Sequence, residues 1–103
     1  MKKIKIAYQG VEGAYSLMAA QDVFKNTEFV GLKTFEDVFM GVEQSAYDVA
    51  FVPVKNSFAG KLYGLHKLAT NIESMDNNIT TFYALCREDE FELKNINNFI
   101  KNT

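Results

Sequence analysis

Very little in this sequence suits a metal centre, a disulfide or a highly charged partner. The 103 residues include one cysteine and one histidine, so an internal disulfide is excluded and no metal-ligand spacing is present. The formal net charge of -2 at pH 7 leaves no basic surface of the kind that binds nucleic acid or an anionic membrane. We therefore expect no metal, no cofactor, no nucleic acid and no membrane partner.

Long apolar runs are also missing. The opening "MKKIKIAYQG" places lysines before apolar side chains, but its apolar part is too short for a signal-peptide core, and no run could span a bilayer. We expect a cytoplasmic protein. Cys86 lies inside the apolar run "TFYALC" and the sequence places no base beside it, so we expect an inert thiol. His66 is expected at the surface.

The sequence does contain an alternation of strand and helix patterns. "KIKIAYQ" alternates and then becomes apolar, which is typical of a buried strand, and "GVEG" supplies two glycines for a turn. "TEFVGLK" indicates a second strand, and "DVAFVPV" is typical of a central parallel strand covered by helices on both faces. Helical spacing predicts a helix after the first strand, on Leu17, Ala20, Val23 and Phe24.

A capped helix is predicted between the second and third strands. Thr34 stands where an N-cap belongs, and Asp37 follows three residues later as an imperfect capping box. The apolar stripe of this helix consists of Phe35, Val38, Phe39 and Val42. Two strand–helix units that lead into a third strand predict right-handed crossovers and an open sheet.

The second half of the chain has weaker patterns. "LYGLHKLATNIES" predicts a short helix or helix-turn, and "ITTFYALC" predicts a strand because of its β-branched and aromatic content. The tail "EFELKNINNFIKNT" predicts a final short helix.

Three stretches together resemble consecutive signature regions of prephenate dehydratases and cover nearly all of residues 4 to 88. "IAYQGVEGAYS" is similar to the family's G-x-x-G-[TA]-[FY]-S turn, and "VPVKNS" to its V-P-[IV]-E-N-S. "LYGLHKLATNIESMDNNITTFYAL" is similar to L-Y-G-L, then L-A-x-N-I, then N-x-T-R-F. Their shared order makes the resemblance specific.

The resemblance implies a type II periplasmic-binding-protein-like fold, in which a second lobe is inserted between E-N-S and L-Y-G-L. Here "NSFAG" runs directly into "KLYGL", so we expect a single three-layer α/β lobe with a mixed, mostly parallel sheet and helices on both faces. Its expected parts are a first segment 1–60, a return segment 61–88 and a tail 89–103. We expect the family's C-terminal ACT domain to be absent, and removal of a lobe to expose apolar surface that forms a homodimer.

The family's reaction expels carbon dioxide and hydroxide from prephenate, a dianion, to give phenylpyruvate. By resemblance Thr80 is the proton-donating threonine of T-R-F, and Phe82 is its phenylalanine. Thr81 stands where the family has its carboxylate-binding arginine, and a neutral hydroxyl cannot replace a bidentate cation. Arg87 shares the face of Thr81 but lies about 20 Å along the strand.

The remaining site residues come from the two earlier motifs. Asn56 and Ser57 match the N-S of E-N-S at the end of a strand, where open α/β sheets place ligands, while Lys55 replaces the glutamate. Gly13 and Ser16, with Gly10, match the first turn, where helix N–H groups can meet an anion. With Thr81 and Phe82, these residues form the expected substrate-binding set for a prephenate-like carboxylate.

Each of these residues also has a purely structural interpretation. Thr80 suits any strand, the two turn glycines suit any tight turn, Asn56 can cap a loop, and Lys55 can be a solvated lysine. Three functions therefore stay open: a dehydratase with weak or no activity, a module that binds a small carboxylate or aromatic ligand, and a self-associating interaction domain.

Overall fold

A computed structural model describes residues 3–10, 15–68, 74–75, 81–87 and 98–101. The predicted opening of strand, helix, strand, helix and strand is confirmed in these residues. The elements in chain order are β1 Lys5–Gln9, α1 Tyr15–Val23, β2 Glu28–Leu32, α2 Phe35–Glu43, β3 Val49–Pro53, a 3-10 helix Val54–Tyr63, β4 Leu65–Lys67, β5 Ser74–Met75 and β6 Thr81–Arg87.

The strands form one mixed sheet in the order β2-β1-β3-β6-β4, and β5 pairs with β6 beside that path. β1 is parallel to both β2 and β3. β6 is antiparallel to β3, β4 and β5. Among the described strands, β6 alone therefore runs against the rest, and the predicted mixed, mostly parallel sheet is confirmed.

Two apolar layers cover the two faces of the sheet. β3 is central and almost fully buried, so its alternate side chains supply both layers: Val49 and Phe51 on one face, Ala50 and Val52 on the other. α1 and the stretch around Ile100 complete the first layer, and α2 with Leu65 completes the second. This arrangement of helix, sheet and helix is the predicted three-layer architecture.

The predicted cap of α2 is present. The hydroxyl oxygen of Thr34 accepts a hydrogen bond from the backbone N–H of Asp37 at 3.0 Å. This bond satisfies one of the N–H groups that lack a partner in the first turn of a helix. Val38, Phe39 and Val42 are buried as their spacing predicts.

The predicted helix at residues 62–74 is wrong in its described part. Residues 54–63 form the 3-10 helix instead of a turn, and the helix ends at Gly64, whose φ of 72° lies in the left-handed region that glycine favours. Residues 65–67 then pair with β6 as an edge strand. Pairing with a distant strand overrides a local helical pattern here.

The predicted C-terminal helix lies largely outside the described residues. Its described part, residues 98–101, forms a turn and an isolated bridge between Phe24 and Ile100. Within the described part of the chain, no helix has the length and apolarity needed to cross a membrane.

Candidate functional site

The end of β3 and the beginning of β6 meet at one edge of the sheet, which we call the carboxyl edge. Pro53 is the register partner of Phe82, so Asn56 and Ser57 follow directly after the strand that borders the "TTF" segment. β1 is parallel to β3 and ends at the same edge, next to Gly10. Open α/β sheets bind ligands at such an edge.

Gly10 and Ser16 flank the first turn. Gly10 has a φ of 137°, a conformation that side chains rarely allow, and its N–H donates to the carbonyl oxygen of Leu32 at 2.9 Å. Ser16 is half-buried in the first turn of α1, three residues after Gly13 in the sequence. Gly13, the other predicted residue of this motif, lies outside the described residues.

The hydroxyl of Ser57 is committed to the backbone. It donates to the carbonyl oxygen of Val54 at 2.6 Å, within the 3-10 helix. A serine hydroxyl has a single proton, so Ser57 in this state can only accept further hydrogen bonds and cannot donate to a carboxylate. The half-buried Asn56 beside it has an amide group that can donate. Lys55, in place of the family glutamate, is exposed.

Phe82 belongs to the core. Its side chain is 2% exposed, and its ring stacks on Phe51 with centroids 5.0 Å apart. The structure therefore gives Phe82 a packing role, and its expected contact with a substrate stays a prediction. Thr81 is half-buried and pairs with Met75 of β5. Thr80 lies outside the described residues.

Arg87 lies at the opposite end of β6 from Thr81. Its guanidinium donates to the carbonyl oxygen of Tyr47 at 3.2 Å and to that of Val42 in the last turn of α2. Helix C-termini carry unsatisfied carbonyl groups that attract cations. Arg87 therefore holds α2 against the sheet and does not supply the positive charge that is missing at Thr81.

A groove of about 660 Å³ lies between the 3-10 helix and β4, and it is the feature that sequence analysis missed. It is lined by Val54, Ser57, Phe58, Lys61, Gly64, Leu65, His66, Lys67, Tyr83 and Leu85. Four of these, at positions 54, 57, 58 and 61, have the spacing of one helical face. That spacing is the available signal in the sequence, but the apolar pattern assigns Val54 to the strand "DVAFVPV" and predicts no helix directly after it.

The charged side chains that the structure describes in the groove lining are all basic. Lys61, His66 and Lys67 line the groove, and no aspartate or glutamate is among the described residues that line it. The Lys67 ammonium lies 3.8 Å from the centre of the Tyr83 ring, and the Lys61 ammonium lies 5.9 Å from that of Phe58. The aromatic ring attracts the ammonium group in each of these contacts, which favours positions of the two lysine charges beside the rings.

Tyr63 stands beyond the end of the groove, against α2. Its ring stacks on Phe39 with centroids 5.7 Å apart. Burial raises the pKa of the Tyr63 hydroxyl above its ordinary value of 10.0, and the negative charges of Glu36 and Glu43 raise it further. Tyr63 is therefore kept protonated and neutral beyond the usual range of a tyrosine.

Cys86 has a neighbour that the sequence did not predict. The β4–β6 register sets His66 directly opposite Cys86, although the two residues are twenty positions apart in the chain. Cys86 is 4% exposed and belongs to the apolar layer beside α1, while His66 is exposed as expected. The argument that no base stands near this thiol is therefore wrong, whereas its position in the core is as predicted.

Comparison with known proteins identifies relatives of the first part of the chain. The model of the prephenate dehydratase family matches residues 6–62. Arogenate dehydratase/prephenate dehydratase 2 of Arabidopsis thaliana, named as chloroplastic, is 39% identical over 61 residues, which cover 59% of this chain and 16% of that protein. Arogenate dehydratase 1 of Petunia hybrida is 42% identical over 60 residues, which cover 58% of this chain and 14% of that protein. The matches thus span less than a fifth of these relatives.

Two solved structures share the fold over most of the chain. Prephenate dehydratase from Streptococcus mutans has a TM-score of 0.65 and 22% identity, covering 86% of this chain and 52% of that one. GqqA, described as a novel type of quorum quenching acylase, has a TM-score of 0.70 and 24% identity, covering 84% of this chain and 49% of that one. In both comparisons about half of the larger protein corresponds to this chain.

Proposed function

Because the chain belongs to the prephenate dehydratase family, we propose that it supplies one wall of a cleft for prephenate or arogenate, the substrates for which its relatives are named. The observation that carries this proposal is the register of β3 and β6, in which Pro53 is opposite Phe82. Through that pairing the segment "VPVKNS" and the beginning of β6 at Thr81 share the carboxyl edge.

The reaction sets the roles of these groups. The bond to the departing carboxylate breaks and releases carbon dioxide, its electron pair enters the ring, and the hydroxyl at the far carbon leaves. A proton must reach that hydroxyl as it leaves as water, and Thr80 is the proposed donor. Asn56 is the proposed donor to a substrate carboxylate, since the proton of Ser57 is bound to Val54.

We propose that the chain alone turns over substrate weakly or not at all. Thr81 replaces the arginine that would pair with a carboxylate, and Arg87 binds carbonyl groups at the other end of β6. A dianion at the carboxyl edge would therefore lack its bidentate cationic partner. An open half-cleft also leaves the reacting groups in water, where each electrostatic contact weakens.

We further propose that the chain is a single lobe whose second segment resumes without an inserted lobe. Its proposed parts are 1–60, 61–88 and 89–103. Support comes from the family match, which ends at Leu62, and from the solved prephenate dehydratase, of which about half corresponds to this chain. The 3-10 helix and Gly64 connect β3 to β4 without a break across this point.

The test is phenylpyruvate formation from prephenate at high protein concentration, after subtraction of the spontaneous acid-catalysed rate, with arogenate assayed in parallel for phenylalanine. We expect no turnover, or slow turnover that Thr80→Ala abolishes. The matched gain-of-function variant is Thr81→Arg, which should tighten binding of prephenate about tenfold by restoring a bidentate cation.

Two results would contradict this proposal. Fast turnover in the unaltered chain would mean that Thr81 does not impair the site. Slow turnover that survives Thr80→Ala, with prephenate affinity unchanged in Thr81→Arg, would mean that the carboxyl edge is not the substrate site. Saturable binding of prephenate that requires Asn56, without turnover, would support the proposed cleft and show that the chain binds substrate without catalysing the reaction.

A homodimer is a second proposal, and the exposure of one large apolar side chain favours it. Leu62 is 85% exposed and lies on the 3-10 helix at the expected junction. Uncovered apolar groups of this size favour association. Sedimentation velocity tests it: Leu62→Glu should abolish a dimer, whereas Met18→Glu, at a 57% exposed position on α1, should not. A monomer at all concentrations would contradict the proposal.

The proposal also includes a cytoplasmic location, although the Arabidopsis relatives are named as chloroplastic. Fractionation of the source cells, followed by immunodetection of the chain, tests this location. Recovery in an organelle or membrane fraction would contradict it.

A further inference from the structure

We propose that the groove between the 3-10 helix and β4 binds a small aromatic carboxylate. This site is distinct from the proposed cleft and does not depend on dehydratase function. It shares only Ser57 with the residues predicted for substrate binding, and it extends along β6 to Leu85 and along β4 to His66 and Lys67.

The shape and floor of the groove suit an apolar ring. Its volume of about 660 Å³ lies within the range of about 300–1,000 Å³ found for small-molecule sites. Leu65 and Leu85, both buried, and Tyr83 are among its lining residues. An apolar body placed there would remove apolar surface from water on both sides.

The charge of the lining selects an anion. The chain as a whole has 13 acidic and 11 basic residues apart from histidine. Within the described part of the chain, the groove is nevertheless lined by Lys61, His66 and Lys67 and by no acidic residue. A carboxylate is attracted by the two lysines, whereas a cationic ligand is repelled.

The aromatic preference comes from Phe58. Its ring forms part of one wall and is 71% exposed, so one aromatic face is uncovered beside the Lys61 ammonium. A ligand ring can stack there at the separation that aromatic pairs prefer, while its carboxylate reaches a lysine. Lys67 also lines the groove, and its ammonium lies 3.8 Å from the centre of the Tyr83 ring.

The test uses phenylacetate as the probe and the complete 103-residue chain. Amide chemical-shift changes on titration should saturate and should be largest at Ser57, Lys61, Lys67 and Tyr83. Neutral phenylacetamide should bind at least about fivefold more weakly, because it keeps the ring and loses the charge. Acetate, which keeps the charge and loses the ring, should also bind more weakly.

Lys61→Gln and Lys67→Gln should each raise the Kd of phenylacetate about fivefold. The matched control is Lys33→Gln, which removes the same charge at an exposed position beyond β2, the opposite edge strand of the sheet. Lys61 is exposed, so we expect Lys61→Gln to remain folded. It therefore tests the proposal even if Lys67→Gln, which loses the contact with Tyr83, unfolds.

Three outcomes would overturn this proposal. The first is ligand-induced amide shifts confined to Asn56 and Thr81 at the carboxyl edge. The second is a Kd for phenylacetate that Lys33→Gln raises as much as the two groove variants do. The last is amide shifts at Phe58 that change with protein concentration and not with ligand. The first would place the ligand in the proposed cleft, so failure here leaves the proposed function standing. The last would make the groove an interface between copies of the chain.

Discussion

The guanidinium of Arg87 donates a hydrogen bond to the carbonyl oxygen of Tyr47, 3.2 Å away. The same group donates to Val42, so one side chain at the end of β6 satisfies two carbonyl groups where α2 ends and the chain turns towards β3. A positive charge at a helix C-terminus also interacts favourably with the helix dipole.

Arg87→Met should therefore lower the free energy of unfolding by about 2 kcal/mol, since it removes charged hydrogen bonds and keeps an apolar side chain of similar length. Urea denaturation measures this change. Arg87→Lys, the control that keeps the charge but not the planar fork, should recover less than half of the loss. An unchanged unfolding midpoint in Arg87→Met would show that solvent satisfies the two carbonyl groups equally well.

Thr34→Ala should destabilise the chain by about 1 kcal/mol, because it removes the side-chain acceptor at the N-cap of α2. The bond in question joins the Thr34 hydroxyl oxygen to the Asp37 N–H at 3.0 Å. Thr34→Ser keeps the acceptor and is the matched control, with an unfolding midpoint close to that of the unaltered chain. Equal losses in both variants would point to the missing methyl group and not to the cap.

Gly31→Ala should cost about 1–3 kcal/mol through overpacking. A Cβ atom at Gly31 would lie 2.6 Å from the carbonyl oxygen of Gly10 and 2.8 Å from the Tyr8 hydroxyl oxygen. The first of these contacts is with backbone, which cannot rotate away, so β2 or the first turn must shift. Thermal unfolding measures the loss, and amide shifts at Gly10 report the displacement.

Gly64→Ala is the comparison variant for Gly31→Ala, because it should destabilise the chain through backbone conformation and not through overpacking. Its Cβ atom would meet nothing within 4 Å, but the residue has a φ of 72°. The expected cost of about 1 kcal/mol therefore comes from backbone conformation alone, without shifts in neighbouring residues. This interpretation would be reversed if Gly64→Ala caused amide shifts in the residues around position 64 while Gly31→Ala caused none around Gly10.

Tyr63 predicts a loss of stability in alkali. Burial first, and then Glu36 and Glu43, raise the pKa of Tyr63 in the folded chain above 10.0. The folded state therefore holds the proton more tightly than the unfolded state, and this contribution is complete below the unfolded pKa and disappears as the pH rises through the folded pKa. Urea denaturation should show a decline in stability above about pH 10 that is smaller in Tyr63→Phe. Identical declines in the two proteins would exclude Tyr63 as the source.

Local patterns in the sequence predict the first half of this fold because the elements there are determined locally. The stripe of α2 and its cap at Thr34 lie within ten residues of each other, and β3 is apolar along its length. The mixed, mostly parallel sheet and the three layers follow from the family resemblance and from the rule that links strand–helix units to parallel sheets, whereas the order of the strands is not predicted.

Pairing between distant segments accounts for what the sequence could not predict. β4 is three residues long, and only its bonds to β6 make it a strand. The same register places His66 opposite Cys86 and Lys67 over the Tyr83 ring. Neither relationship has a signature within a short window of sequence. The groove depends on both walls, so it too becomes visible only when the sheet is assembled.

The place of β6 in the sheet determines when the folding chain can complete that sheet. β6 lies between β3 and β4, so the inner edge of β3 has no partner until residues 81–87 arrive from about thirty positions further along the chain. Closing so large a loop is slow compared with forming the local helices. On the ribosome, the first fifty-three residues would emerge with an unpaired apolar strand. The period before β6 is synthesised is therefore the time at which this chain is most exposed to aggregation and to capture by chaperones.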